Sequence, residues 1–241
     1  MKLSVIIPAY NEEGCIEKAL RDLYRLLVAE KIDHEMVVIY RASSDRTEEI
    51  LKALMREIPT MRYIDKPAPH GFGLALRHGL EVFSGDAVTF YMGDDSDSPE
   101  DLVLYFRTME REGVDCVFGS RFVRGGAITG YPWIKYILNR ACNLVIRVLF
   151  RSKYNDYTNA FKLYRRSVIE GTQPYIGRYF NFTPELVLKA ISRGYTFRVV
   201  PNSWRGRRAG ESNFKLWHMG QLYILTIFHC LLEKKLLEKN K

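Results

Sequence analysis

The chain has 241 residues, of which 47% are hydrophobic, and carries 36 lysines and arginines against 28 aspartates and glutamates for a net charge of +8. That is enough apolar material for a buried core and one main domain. Four scattered cysteines (Cys15, Cys116, Cys142, Cys230), with no CxxC pair and no histidine pair at zinc spacing, exclude a disulfide framework and a structural zinc site and fit a reducing, cytoplasmic setting.

In chain order, the strand-like runs are LSVIIPAY (3–10), EMVVIY (35–40), MRYID (61–65), AVTFYM (87–92) and DCVFGS (115–120), rich in β-branched and aromatic residues. Helical periodicity fills the gaps at roughly 14–30, 45–58, 72–83 and 99–112. This βαβαβ order predicts an α/β fold, a mainly parallel Rossmann-like sheet with helices on both faces. Ligands of such sheets bind beyond the carboxyl ends of the strands. The loops expected there are PAYNEE (8–13), YRASSD (40–45) and GDDSD (93–97).

The third of these loops carries unusual charge. Within VTFYMGDDSDSPED, Asp94, Asp95, Asp97, Glu100 and Asp101 fall in eight positions. Ser98-Pro99-Glu100-Asp101 reads as a helix start, with a capping hydroxyl, a proline at the first helical position and acids in the positively polarised first turn. Asp94, Asp95 and Asp97 remain, and crowded carboxylates of this kind suit a hard divalent cation such as Mg²⁺ or Mn²⁺. By contrast, GFGLAL (71–76) is not expected to bind a dinucleotide: Leu76 stands at the third glycine position, and KPAPH rather than a strand precedes it.

Charge divides the chain. Residues 1–120 hold 14 basic and 22 acidic residues, a net of −8; residues 121–241 hold 22 and 6, a net of +16. The second half is therefore expected to meet anions. Its segment YPWIKYILNRACNLVIRVLFR places Lys135, Asn139, Asn143, Arg147 and Arg151 at steps of four, with Trp133, Ile134, Ile137, Leu138, Leu144, Val145 and Val148 elsewhere around the helix. This reads as an interfacial helix, the alternative being a helix packed on the domain with a basic outer face. The run from Leu216 to Leu232 would span only ~25 Å of the ~30 Å hydrocarbon core. It is broken by His218, Gln221 and His229, so interfacial association or packing against a second copy is expected rather than spanning. The apolar stretch in MKLSVIIPAYNEE is too short for a secretion signal.

Laid end to end, VIIPAYNEE, SSDRT, HGFGLALRHGL, MGDDSDSPEDL, FGSRFVRGG, NDYTNAFKLYRR and the run from FTPELVLKAISRGY to RRAGESNFKLW resemble the family 2 glycosyltransferases of GT-A fold. Within that family they are most similar to the polyprenyl-phosphate (dolichol-phosphate) mannose or glucose synthases. The resemblance covers about residues 3–216, which makes 1–216 the expected catalytic domain and 217–241 a C-terminal amphipathic helix.

It implies an inverting, metal-dependent transfer of a hexose from a nucleotide diphosphate sugar to a polyprenyl phosphate at the cytoplasmic membrane surface, with no nucleic-acid partner. By family position, Pro8, Tyr10, Glu12, Ile39, Arg41, Asp94 and Arg207 would contact the donor. Asp94 and Asp97 would hold the metal; Arg121, Lys135 and Glu185 would meet the acceptor; and Asp94, Asp97, Arg121 and Arg207 would carry the chemistry. Five residues depart from the family pattern, two of them being Asn181 and Asn213, which stand where the family has lysines. Tyr40-Arg41 stands where paired aspartates are usual, which puts base and ribose recognition in question, and Met92 replaces the first aspartate of the DXD-type motif, for which Asp95 is a candidate compensation. An alternative acceptor, a sugar hydroxyl, would need a carboxylate base, for which Glu185 is the candidate. The other alternative is an inactive nucleotide-binding relative.

Overall fold

The computed structural model describes residues 1–206 and 216–239, with side chains in the last segment from Met219 onward. The expected alternation is present: β1 (Leu3–Ala9), α1 (Ile16–Ala29), β2 (His34–Tyr40), α2 (Thr47–Glu57), β3 (Met61–Asp65), α3 (Phe72–Val82), β4 (Ala87–Phe90), α4 (Pro99–Glu112) and β5 (Cys116–Ser120). The remainder is β6 (Ala127–Thr129), α5 (Trp133–Phe150), β7 (Lys162–Arg165), α6 (Arg166–Gly171), α7 (Phe182–Ser192), β8 (Phe197–Pro201), β9 (Ser203–Arg205) and α8 (Leu216–Lys239).

Seven strands form one sheet in the order β3-β2-β1-β4-β7-β5-β8, with β7 antiparallel to both neighbours and the other pairs parallel. β6 and β9 make a small second sheet. Both faces of the large sheet are covered, so its central strands are apolar on both sides. Val5, Ile7 and Val38 pack on one face with Leu20, Leu23 and Leu27 of α1, while Ile6, Val37 and Ile39 pack on the other with Leu76 of α3 and Leu186 of α7. Spacing of the α1 leucines at three and four positions gives one inward stripe. Each such buried side chain contributes about 1.5–3 kcal/mol.

Local chemistry explains the turns, with one correction. α4 begins with Pro99 at its first position and ends at Gly113, whose φ of 66° takes the left-handed conformation glycine tolerates. The Ser98 hydroxyl, however, caps no helix N–H; it donates to Glu100. Asn11 lies ahead of α1, which starts at Ile16 after Cys15, and binds Ser43 and Ser44 across the β2–α2 loop. The GFG motif has a packing reason. A Cβ at Gly71 would lie 2.4 Å from the Arg178 carbonyl oxygen and one at Gly73 2.6 Å from that of Tyr179, so the glycines let α3 approach the loop before α7.

α5 sits the opposite way round from its basic-outer-face reading. Asn143 is buried, and its side chain bonds Asn139 and accepts the Tyr157 N–H at 2.6 Å. Trp133, Ile134, Ile137, Leu144, Val145 and Val148 are the exposed side. α8 packs on α7 and α5, joined to them by Asn181 to Thr226 at 2.9 Å and Lys234 to the Phe150 carbonyl at 2.9 Å. Its Ile224, Leu225, Phe228, Leu232 and Leu236 are exposed as well. Among the described residues, no helix is long and apolar enough to cross a membrane.

Candidate active site

A cleft of about 1380 Å³ lies beyond the carboxyl ends of β1, β2 and β4. Its wall includes Pro8, Tyr10, Glu12, Ile39, Arg41, Asp94, Asp97, Arg121 and Lys135, so one cavity gathers most of the candidate residues. At the β4 end, Asp94 and Asp97 are 7% and 4% exposed. Asp94 accepts the Ser96 N–H at 3.2 Å, and Asp97 accepts the Met92 N–H at 3.1 Å, folding the loop back on itself. Burial first, and the charge of Asp94 second, push the Asp97 carboxyl up to about 8.

Two neighbouring buried acids fit a divalent cation between them and the cleft. Among the described residues there is no cluster of three or more potential metal ligands, so such an ion would take most of its shell from substrate phosphate and water. Asp95 does not compensate for Met92. It lies in a separate surface cavity beside Lys18, at 3.2 Å, because its φ of 60° turns the backbone there.

At the β1–β2 end, the Tyr40 ring is buried against Tyr63 and its hydroxyl accepts the Ser43 N–H at 2.9 Å. Tyr40 is thus a structural residue of the turn. Arg41 instead reaches the cleft, its guanidinium 4.0 Å over the centre of the Tyr10 ring. Ile39 borders the cleft from the core, 1% exposed.

Across the cleft, Asp156 receives Arg121 three ways: the backbone N–H at 3.0 Å, Nε at 2.9 Å and Nη2 at 2.7 Å. Both residues are buried, and although burial opposes the arginine's charge, Asp156 outweighs it and keeps the guanidinium ionised. Lys135 and Asn139 of α5 continue this wall, Asn139 donating to Thr158 at 2.6 Å. Beyond them the cleft runs between α5 and α8 past Leu138, Val145, Ile224 and Ile227.

Glu185 is a correction: it does not reach the cleft. It is fully buried, its two oxygens accept the N–H groups of Ile176 and Gly177 at 2.8 and 2.6 Å, and Lys189 pairs with it at 3.3 Å. A carboxylate so engaged braces the loop before α7. The sugar-hydroxyl alternative thereby loses its proposed base. Arg207 lies outside the described residues.

Sequence reasoning missed Asp156 and Lys162, although NDYTNAFKLYRR contains both. The available signal was scarcity: Asp156 is one of six acids in the basic half, and Lys162 interrupts an apolar strand.

The family model for glycosyl transferase family 2 matches residues 4–172. The chain belongs to that family. It is 29% identical over 222 residues to the dolichol-phosphate mannosyltransferase of Pyrococcus furiosus, covering 89% of this chain and 60% of that protein. It is 26% identical over 219 residues to the polyprenol monophosphomannose synthase of Mycolicibacterium smegmatis, covering 86% of this chain and 79% of that one. The chain therefore spans about 60% of the length of the first relative. Two crystal structures of glucosyl-3-phosphoglycerate synthase from Mycobacterium tuberculosis share the fold. The one with UDP has a TM-score of 0.69 at 21% identity, covering 95% of this chain and 80% of that chain. The one with Mn²⁺, UDP and phosphoglyceric acid has a TM-score of 0.70 at 20% identity, covering 95% and 78%.

Proposed function

We propose that this glycosyltransferase moves a hexose from a nucleotide diphosphate sugar to a polyprenyl phosphate at a membrane surface, with inversion at the anomeric carbon. One observation carries the reading: a single cleft joins the Asp94–Asp97 pair to Arg121 and Lys135 and then runs between two helices whose outer faces are bare and apolar. The two relatives named for dolichol and polyprenol phosphate support the acceptor class. The structural relatives, solved with UDP and with Mn²⁺ or Mg²⁺, support the donor class and the ion.

Asp94, with Asp97 behind it, would hold the divalent ion, which supplies neutralisation of the diphosphate's charge. The acceptor phosphate oxygen is already anionic, so alignment matters more than deprotonation. Arg121, fixed by Asp156, and Lys135 would orient that phosphate. The new bond joins its oxygen to the anomeric carbon as the bond to the nucleoside diphosphate breaks on the opposite face. Arg207 would neutralise the departing diphosphate.

A transfer assay with several nucleotide sugars, a short-chain polyprenyl phosphate and a water-soluble sugar tests this, with and without chelator. The lipid phosphate should be the faster acceptor, chelator should abolish transfer, and Asp94→Asn should lower turnover by about 100-fold or more, as loss of electrostatic stabilisation does elsewhere. Faster transfer to the sugar hydroxyl, or full activity in excess chelator, would overturn it.

A further inference from the structure

The donor end of the cleft has a distinctive polarity. If Asp94 and Asp97 at β4 mark the diphosphate, as the proposed function holds, the strand order β3-β2-β1-β4 leaves the ends of β1, β2 and β3 for the nucleoside. The polar residues lining the cleft there are Tyr10, Glu12, Tyr40, Arg41, Lys66 and His70. Tyr40 is occupied by the Ser43 N–H, and Lys66 is held by its own loop, donating to the Pro67 and Pro69 carbonyls at 3.2 and 2.9 Å. Glu12 belongs to the β1–α1 loop, where its N–H is bound by Thr47 at 2.9 Å. Arg41 remains. Among the described residues its guanidinium has no ion pair, and its ring contact is Tyr10.

Stacking on a tyrosine fixes the plane of a guanidinium and leaves its edge free to donate. That edge carries only donors, in a fork that matches two adjacent acceptors. Guanine offers such a pair in O6 and N7, the commonest specific arginine contact to a base. Cytosine offers O2 and N3. Uracil flanks each carbonyl with N3–H and adenine sets an amino group beside N7, so either would bring a donor against a donor.

We infer that Arg41 sets the base specificity of the donor and selects a base edge with two adjacent acceptors, guanine or cytosine, over uracil and adenine. The substitution of arginine for an acid at this position is then a change of readout rather than a loss of binding. Tyr10 acts with it as the positioning residue.

Calorimetric titration of GDP, CDP, UDP and ADP in the presence of Mn²⁺ tests the assignment on the full chain and on Arg41→Ala and Arg41→Lys. Wild type should bind GDP or CDP on the order of tenfold or more tighter than UDP and ADP, the discrimination of one bidentate contact. Arg41→Ala should erase the ranking, and Arg41→Lys should not restore it, because an ammonium lacks the fork. The diphosphate of 7-deazaguanosine separates the two sources: it should lose the advantage of GDP if guanine is read, whereas CDP should lead if cytosine is read. UDP or ADP leading in wild type would overturn the inference. So would a ranking that survives in Arg41→Ala, including uniform weakening of all four, which would place Arg41 on the diphosphate. These outcomes leave the donor site standing; absence of binding by any nucleotide would remove both.

Discussion

Helices α1 and α5, one from each half, use the same periodicity in opposite senses. α1 turns Ile16, Leu20, Leu23 and Leu27 into the core and charges toward water. α5 turns Asn139 and Asn143 toward the domain and leaves Trp133 72% and Val148 67% exposed; on α8, Ile224 is 69% exposed. An amphipathic pattern thus defines a stripe without saying which side the domain takes. In α5 the domain side combines Ile146 and Phe150, buried in the core, with two asparagines that find partners in Thr158 and the Tyr157 N–H, and the remaining apolar side chains face outward. So large an exposed apolar patch marks an interaction surface.

The largest expected effect is in the polar interior that anchors the second half. Asp156→Asn keeps the shape but leaves Arg121 a buried charge without its counter-ion, which costs about 3–5 kcal/mol. Urea unfolding would measure this, and Asp156→Glu should lose less. A change below about 0.5 kcal/mol, the range of inconsequential surface substitutions, would mean that Arg121 is compensated by other groups and that the contrast between the halves does not extend to their interiors.

The contrast also separates what the sequence makes legible from what it does not. All nine elements from β1 to β5 are readable because each short apolar run is bounded by a turn and each of the first four is followed by an amphipathic helix, and the loops expected to carry a ligand do line the cleft. β7 is harder. Its four residues KLYR include a lysine at 0% exposure, which no alternation rule places in a core. Glu185 has the composition of an ordinary first-turn acid, and only the fold brings Ile176 and Gly177 to it. Arg121 is recognisable by its motif, while its partner, 35 positions away, requires the tertiary structure.

A second way to sharpen the comparison is through pH. Lys162 donates to the carbonyls of Asn159 and Tyr157, lies 5.5 Å from the Tyr154 ring centre, and has burial pushing its pKa down to about 7, against the pull of Asp156 and with Arg121 adding to the fall. Asp97 also pulls it upward. Since the folded value lies below the ordinary ~10.4, the unfolded chain binds a proton between these limits that the folded chain does not. This contribution to stability is therefore smallest below pH 7 and grows with pH through the window, by at most about 1.4 kcal/mol per unit, while the raised Asp97 carboxyl works in the opposite direction up to about pH 8. Melting above pH 8 and toward 10, where of these two groups only Lys162 still titrates differently, should show this rise in wild type. Lys162→Met should flatten it while lowering the baseline through the lost hydrogen bonds. An unchanged slope would show that Lys162 keeps its proton in the folded interior.

The smallest effect on folding should come from the outer faces of α5 and α8, and it tests what those faces are for. Val148 and Phe228 are 67% and 58% exposed and do not line the cleft. Val148→Glu and Phe228→Glu remove no packing, so each should alter stability by less than about 0.5 kcal/mol. Inserting such a side chain into an acyl boundary is worth on the order of 1.5 kcal/mol, and the added acid is repelled by anionic lipid. Each substitution should therefore weaken co-sedimentation with anionic vesicles by on the order of tenfold. Met55→Glu on α2, also exposed but on the first half, is the control and should leave sedimentation unchanged. Equal loss in all three would assign the effect to net charge alone. Loss confined to the α5 and α8 variants would tie it to the apolar face, and salt would then weaken the wild-type interaction only in part, since hydrophobic insertion is not screened while attraction of the basic half to lipid is.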